Sequence, residues 1–186
     1  KEPEEIIELI HSVAVEVRKN GIISMEAKLD TIGDSFLAKG LKLLCDGNTE
    51  EKIREIMENE IASMEERHGT NASIFASAGM YAPTLGVLGA VFGLIAAMGH
   101  IDNTEMMSEA IAAAFIATIL GIFTGYVLWN PFSTKLKVKS KEEVFIKQMI
   151  IVGVSEMAKG TNPMIIKEAL VALLPEKEQA KASAKK

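Results

Sequence analysis

Two uninterrupted runs without Asp, Glu, Lys or Arg constrain this chain more than any other feature: Gly69–Gly99, 31 residues, and Ala110–Thr134, 25 residues. The rest of the chain is dense with charge. A hydrocarbon core of ~30 Å takes about 20 helical residues at ~1.5 Å each. Both runs are long enough to cross it with some tilt. Core helices of a soluble protein are usually shorter and keep a polar stripe. The runs are therefore expected to be transmembrane helices, one over residues 71–99 and one over residues 110–132.

Lys and Arg set the expected orientation. Residues 1–68 hold nine, the connector 100–109 holds none, and residues 133–186 hold eleven. Cations are retained on the cytoplasmic side. The expectation is a cytoplasmic helical region at 1–70, a periplasmic loop at 100–109, and cytoplasmic helices with a polar tail at 133–186. The acidic connector residues Asp102, Glu105 and Glu109 read as a solvated hairpin loop. The chain begins with Lys1 and shows no signal-peptide pattern, so a piece of a longer protein is expected.

The flanks carry helical periodicity. Ile6, Ile10, Val13 and Val17 form one stripe, ended by Asn20-Gly21. Ser24 is the expected cap of a second helix holding Leu29, Ile32, Phe36 and Leu37. Asn48 or Thr49 caps a third, with Ile53, Ile56, Met57, Ile61 and Met64 on one face. Ser140 with Glu143 reads as a capping box. Pro163 opens a last short helix and Pro175 ends it. The tail "EKEQAKASAKK" reads as disordered. With no strand pattern, the expected fold class is all-α, an integral membrane protein.

Several functions are excluded from expectation. Net charge is −5 and aromatics are 5%, so no nucleic-acid partner is expected. One cysteine, Cys45, gives neither an internal disulfide nor a zinc cluster. His11, His68 and His100 are far apart, and no phosphate loop or nucleophile elbow is present. No enzyme chemistry, cofactor or metal is expected. The spans hold no ionisable residue other than tyrosine. Proteins that move ions through their own spans normally carry a carboxylate there. Any ion-carrying group must come from a partner.

Small residues punctuate both spans. Gly86, Gly89 and Gly93 are spaced three and four apart and fall on one face, where another helix can come close. The second span has Ala112, Ala113, Ala114, Ala117, Gly121 and Gly125, with Thr118 as a hydroxyl at bilayer depth. Pro83 and Pro131 lie near the cytoplasmic ends of the two spans. A helix proline removes a hydrogen bond and kinks the turn before it. Pro131 alone fits a helix end; the matched pair fits a hinge.

These residues carry a family resemblance. "APTLGVLGAVFGL" followed by "AAAFIATILGIFTGYVLWNPF" resembles the third and fourth membrane helices of the MotA family, the A subunits of the bacterial flagellar stator, within the MotA/TolQ/ExbB proton channels. "VRKNGIISMEAKL" resembles that family's cytoplasmic segment. The resemblance covers about residues 4–175 and lacks the first two membrane helices. It implies a pentamer in the inner membrane around a dimer of B-type (MotB-type) subunits that carry the ion-binding carboxylate. It implies that Pro83 and Pro131 couple ion passage to the cytoplasmic part, that Thr118 lies near the partner's carboxylate, and that Arg18 and Glu26 meet the rotor's switch-ring protein. Sodium-driven relatives carry threonine where this chain has Ala90 and Ala117, so proton drive is implied. Two other classes remain open: the A-type subunit of an ExbB/TolQ-like energy-transducing complex, and a membrane scaffold without conduction.

Overall fold

The structure, a computed structural model, describes residues 2–184, with side chains through Ala180. Every regular element among them is helical. α1 spans Pro3–Asn20, a 3-10 segment follows at Ile22–Thr31, and α2 spans Ser35–Cys45. α3 runs over Glu50–Met98 and α4 over Thr104–Phe123. A π-helical turn at Thr124–Trp129 leads directly into α5, Asn130–Ala158. α6, Pro163–Val171, and α7, Glu176–Ala184, complete the chain. The chain divides into two compact units: residues up to Met64 with those from Glu142 onward, and Glu65–Lys141.

The first unit is a helical bundle with an aliphatic and methionine core. α1 starts with Pro3 in its first turn beside Glu4 and Glu5, and ends with Arg18 and Lys19, the charge order that suits a helix dipole. Gly21, at φ +80°, turns the chain out, and its N–H reaches the Val17 carbonyl at 2.8 Å. Ile6, Ile7 and Ile10 of α1 are buried against Met149, Ile150 and Val154 of α5 and Ile166 and Leu170 of α6 in one cluster. Two glycines let helices close up. A Cβ on Gly40 would stand 2.9 Å from Met57 Cε and 3.0 Å from Val154 Cγ2, and one on Gly153 would stand 2.6 Å from Ile10 Cγ2. Removing a large buried side chain such as Leu37 from such a core costs about 2–5 kcal/mol.

Charged groups tie helix ends together around this core. The Arg54 guanidinium, hydrogen-bonded at 3.0 Å, holds the Glu50 carboxyl below the usual carboxylate range, with Ser155 and Lys159 adding to the effect. The Thr161 hydroxyl at 2.7 Å, then Lys159, hold Glu156 down in the same way.

Three expectations need correction. Ser24 does not cap α2; its hydroxyl donates to the Gly21 carbonyl within the 3-10 segment. Asp34 is the cap, accepting from Phe36 N at 3.1 Å and Leu37 N at 2.9 Å, because a carboxylate beside Gly33 offers a better acceptor to those free amides. Ser140 and Glu143 form no capping box. α5 passes through them unbroken, since no proline follows Pro131 and the helix's glycine, Gly153, lies ten residues past Glu143. The tail is helical over Glu176–Ala184, not disordered. Pro175 O accepts from Glu178 N at 2.8 Å and Gln179 N at 3.0 Å, and the Ala, Glu, Lys and Gln that follow favour helix. Lys185 and Lys186 of that tail lie outside the described residues. Thr49 does cap α3, accepting from Lys52 N at 3.3 Å, and Asn162 caps α6 ahead of Pro163.

The second unit is an antiparallel helix pair. Its members are α3 from Glu65 onward, and α4 with the π turn and the start of α5 up to Lys141. Both helices are long and apolar enough to cross a membrane. α3 has no break near residue 70, so the third flank helix and the first apolar run are one helix of 49 residues. Asn103 starts α4, accepting from Met106 N at 3.1 Å. Large apolar side chains such as Leu85, Phe92, Ile95, Phe115 and Ile119 point outward along the pair and are exposed.

Candidate functional site

The helix pair is held through its middle by a seam of small residues. A Cβ on Gly93 would stand 2.8 Å from Ala114 Cβ, and one on Gly89 would stand 3.0 Å from Ala117 Cβ. On Gly86 it would stand 2.8 Å from the Ala117 carbonyl oxygen. On Gly125 it would meet Pro83 Cδ at 2.7 Å and the Gly79 carbonyl oxygen at 2.8 Å. The seam thus reads Gly93–Ala114, Gly89–Ala117, Gly86–Gly121, Pro83–Gly125, and Gly79 against the Asn130 side chain. The helix that approaches Gly86, Gly89 and Gly93 is α4 of the same chain.

Ala90 and Thr118 stand one residue beyond the Gly89–Ala117 rung. One residue turns a helix by ~100°, and in an antiparallel pair the two turns carry both residues to the same flank of the seam. Both are half-buried. Thr118 Oγ1 donates to the Ala114 carbonyl at 3.2 Å, which leaves its lone pairs free to accept. Thr84 and Tyr126 follow the Pro83–Gly125 rung by the same step, so they lie on this flank about 9 Å (Thr84) and 12 Å (Tyr126) further along the pair. Neither stands out in the sequence by itself. Their spacing from the seam singles them out only once it is known which residues form the rungs. The opposite flank carries Leu85, Leu88, Ile116 and Leu120.

The prolines sit in unlike surroundings. Pro83 lies inside α3, half-buried against Gly125. It has no N–H, so the Gly79 carbonyl has no donor four residues on. Pro131 is exposed and comes two residues after the π turn. It does not end a helix. The Asn130 N–H reaches back to the Gly125 carbonyl, the longer step of a π turn, and α5 then continues. The widened turn accommodates a residue that cannot donate.

Arg18 and Glu26 are both exposed in the first unit, Arg18 in the last turn of α1 and Glu26 on the 3-10 segment. Neither makes an ion pair with the other or with any residue among those described. The neighbouring pair is Lys28 with Glu16. Burial, and then the Glu26 and Asp46 charges, push the Cys45 thiol above its ordinary range.

Residues 28–149 match the family described as the MotA/TolQ/ExbB proton channel family. The chain is 49% identical to Motility protein A of Bacillus subtilis (strain 168) over 96% of its own length and 66% of that protein's. It therefore spans just under two thirds of that relative. Its fold superposes on the flagellar MotAB stator complex from Bacillus subtilis with a TM-score of 0.88 at 49% identity, covering 96% of this chain and 70% of the other. Against the C. jejuni MotAB structure the TM-score is 0.90 at 32% identity, covering 95% and 69%.

Proposed function

The chain belongs to the MotA/TolQ/ExbB proton channel family, and from that we propose that it is the A-type subunit of a flagellar stator. In this reading residues 71–99 and 110–132 cross the inner membrane, the long flanks are cytoplasmic, and residues 100–109, a short loop and the first turn and a half of α4, are periplasmic. With a B-type partner the subunit conducts protons and converts their flow into torque on the rotor. The observation that carries the reading is the identity to a motility protein of 49%, extending over both units rather than over the spans alone.

The geometry supports a division of labour. The Ala90–Thr118 flank has small side chains and a free hydroxyl acceptor but no carboxylate. A partner carboxylate placed there would be protonated from the outer side and oriented by Thr118. Pro83 and Pro131 bracket the cytoplasmic end of the pair, where passage of the ion would be felt by α3 and α5. Both helices continue from there into the first unit. Arg18 and Glu26 are unpaired charges on that unit and are free to meet the rotor's switch-ring protein. The assembly is a pentamer of A-type subunits around a B-type dimer.

The test is complementation. A strain lacking its own A-type stator gene, given the full-length gene with its B-type partner, should swim. Membrane-inserted protein without swimming, but with recovered energy-dependent outer-membrane uptake in a strain lacking that system, would instead assign the chain to an ExbB/TolQ-like complex.

A further inference from the structure

We infer that Lys135, Lys137, Lys139 and Lys141 form a basic collar that binds the anionic phospholipid headgroups of the leaflet next to Trp129 and Phe132. The inference rests on the span assignment proposed above.

An aromatic cluster marks where the collar begins. Phe75, Trp129 and Phe132 touch one another, with ring centroids 6.1, 6.0 and 6.5 Å apart, and Tyr126 is exposed one turn earlier. Aromatics of this kind settle at the boundary between hydrocarbon and water. Lys135 comes three residues after Phe132 and Lys141 nine. At ~1.5 Å per residue they lie about 4.5–13.5 Å beyond the ring. The headgroup layer on each side is about 5–7 Å deep. Flexible lysine stems let the more distant ammonium groups reach back into it.

The four lysines are distributed around the helix. Each is two residues from the next, a turn of ~200°. Lys135 and Lys139 therefore share one side, and Lys137 and Lys141 the other. All four are exposed, and none has an ion-pair or hydrogen-bond partner among the described residues. Six other lysines of this chain do pair with glutamates: Lys28, Lys39, Lys52, Lys147, Lys159 and Lys167.

The opposing helix explains the difference. Ser133 Oγ donates to the Ala72 carbonyl at 2.9 Å, and His68 Nδ1 meets Ser140 Oγ at 3.0 Å. These two bonds set the α3 stretch "HGTNA", residues 68–72, alongside the lysines, and it holds no carboxylate. Glu65 and Glu66 lie beyond His68. The nearest carboxylates on α5 itself, Glu142 and Glu143, lie beyond Lys141 on the side away from the aromatic cluster; Glu143 pairs with Lys147 and neither pairs with a collar lysine, so the ammonium groups nearest the rings call for an external counter-charge. At this depth the available anion is a lipid phosphodiester, which suits a compact, freely rotating ammonium.

The test is quenching of Trp129, which sits at the edge of the collar. Full-length protein carrying Trp129 as its sole tryptophan is reconstituted in phosphatidylcholine vesicles. These contain the same minor fraction of brominated phosphatidylglycerol or brominated phosphatidylcholine. The collar predicts about twofold stronger quenching by the brominated anionic lipid, falling to parity in high salt. The quadruple Lys→Gln variant at 135, 137, 139 and 141 should lose the preference, and the quadruple Lys→Arg variant should keep it. Circular dichroism checks that both remain helical. Equal quenching by the two lipids in the unaltered protein would overturn the collar while leaving the spans in place. A preference that survives in the Gln variant would overturn it equally. So would a Gln variant that changes only in oligomer size, which would point to a protein neighbour. No quenching by either lipid would overturn the span assignment along with the collar.

Discussion

Gly121 and Gly86 meet backbone to backbone: a Cβ added to Gly121 would stand 2.8 Å from Gly86 Cα and 2.6 Å from the Ala82 carbonyl oxygen. Neither obstacle is the end of a flexible side chain. The only relief is separation of the two helices, which would also open the Gly89–Ala117 and Pro83–Gly125 rungs. Gly121→Ala should destabilise the protein by about 1–3 kcal/mol, the usual cost of overpacking. Gly69→Ala, also in α3 but with open space around it, should gain about 0.5–1 kcal/mol from backbone entropy alone. Thermal unfolding in detergent measures both. Equal responses would mean that the seam is looser than its geometry indicates.

Charge reversal tests the proposed rotor contact. An exposed ion pair contributes only ~0–1 kcal/mol, so neutralising Arg18 or Glu26 should be tolerated. Arg18→Glu and Glu26→Lys convert attraction into repulsion and should each slow swimming markedly, with membrane level and proton leak unchanged. A compensating reversal on the rotor should restore speed. Normal swimming by both variants would make these residues ordinary surface charge.

The proposed proton drive rests on oxygen count. A sodium ion stripped of water needs several oxygen ligands, whereas a proton needs one carboxylate and a hydrogen-bonded path. On the flank that carries Ala90 and Thr118, Thr118 offers the one side-chain oxygen at that level, Thr84 and Tyr126 lying about 9 and 12 Å further along. Swimming speed should be independent of external sodium at constant ionic strength and should collapse with a protonophore. Speed that scales with sodium and survives the protonophore would refute proton drive.

Pro131→Ala returns a backbone donor to the turn that now widens around the proline. The turn should tighten and stiffen. The stator should still assemble with its partner but generate little torque, read as normal copurification with near-stalled tethered cells. Failure of assembly would show that Pro131 serves packing instead.

Local signals were legible where they act within one turn. Asn20-Gly21, Thr49 and Pro163 each mark the boundary that the sequence predicts, because a cap or a breaker works on adjacent amides and carbonyls. Signals that need a partner were not. Ser140-x-x-Glu143 has the letters of a capping box, yet its hydroxyl is engaged by His68, 72 residues earlier in the chain. The glycine faces announced close approach without saying which helix would come. The merging of the third flank helix with the first apolar run was hidden because the change from amphipathic to uniformly apolar looks like a boundary. It is only a change of surroundings along one continuous helix. Nothing in the sequence marks the π turn, apart from Pro131 two residues past its end.

The π turn at Thr124–Trp129 also fixes an angle. Closing a loop of backbone over five residues rather than four takes up one surplus residue, so the start of α5, residues 130–141, is set back in phase by about 100° relative to an unbroken α-helix. Ser133 reaches Ala72, and Asn130 reaches Gly79, in this phase only. Deleting any one residue between Thr124 and Trp129 would let the helix run true and would swing both side chains off the seam. The surplus residue therefore sets the angle at which the start of α5 presents Asn130 and Ser133 to α3.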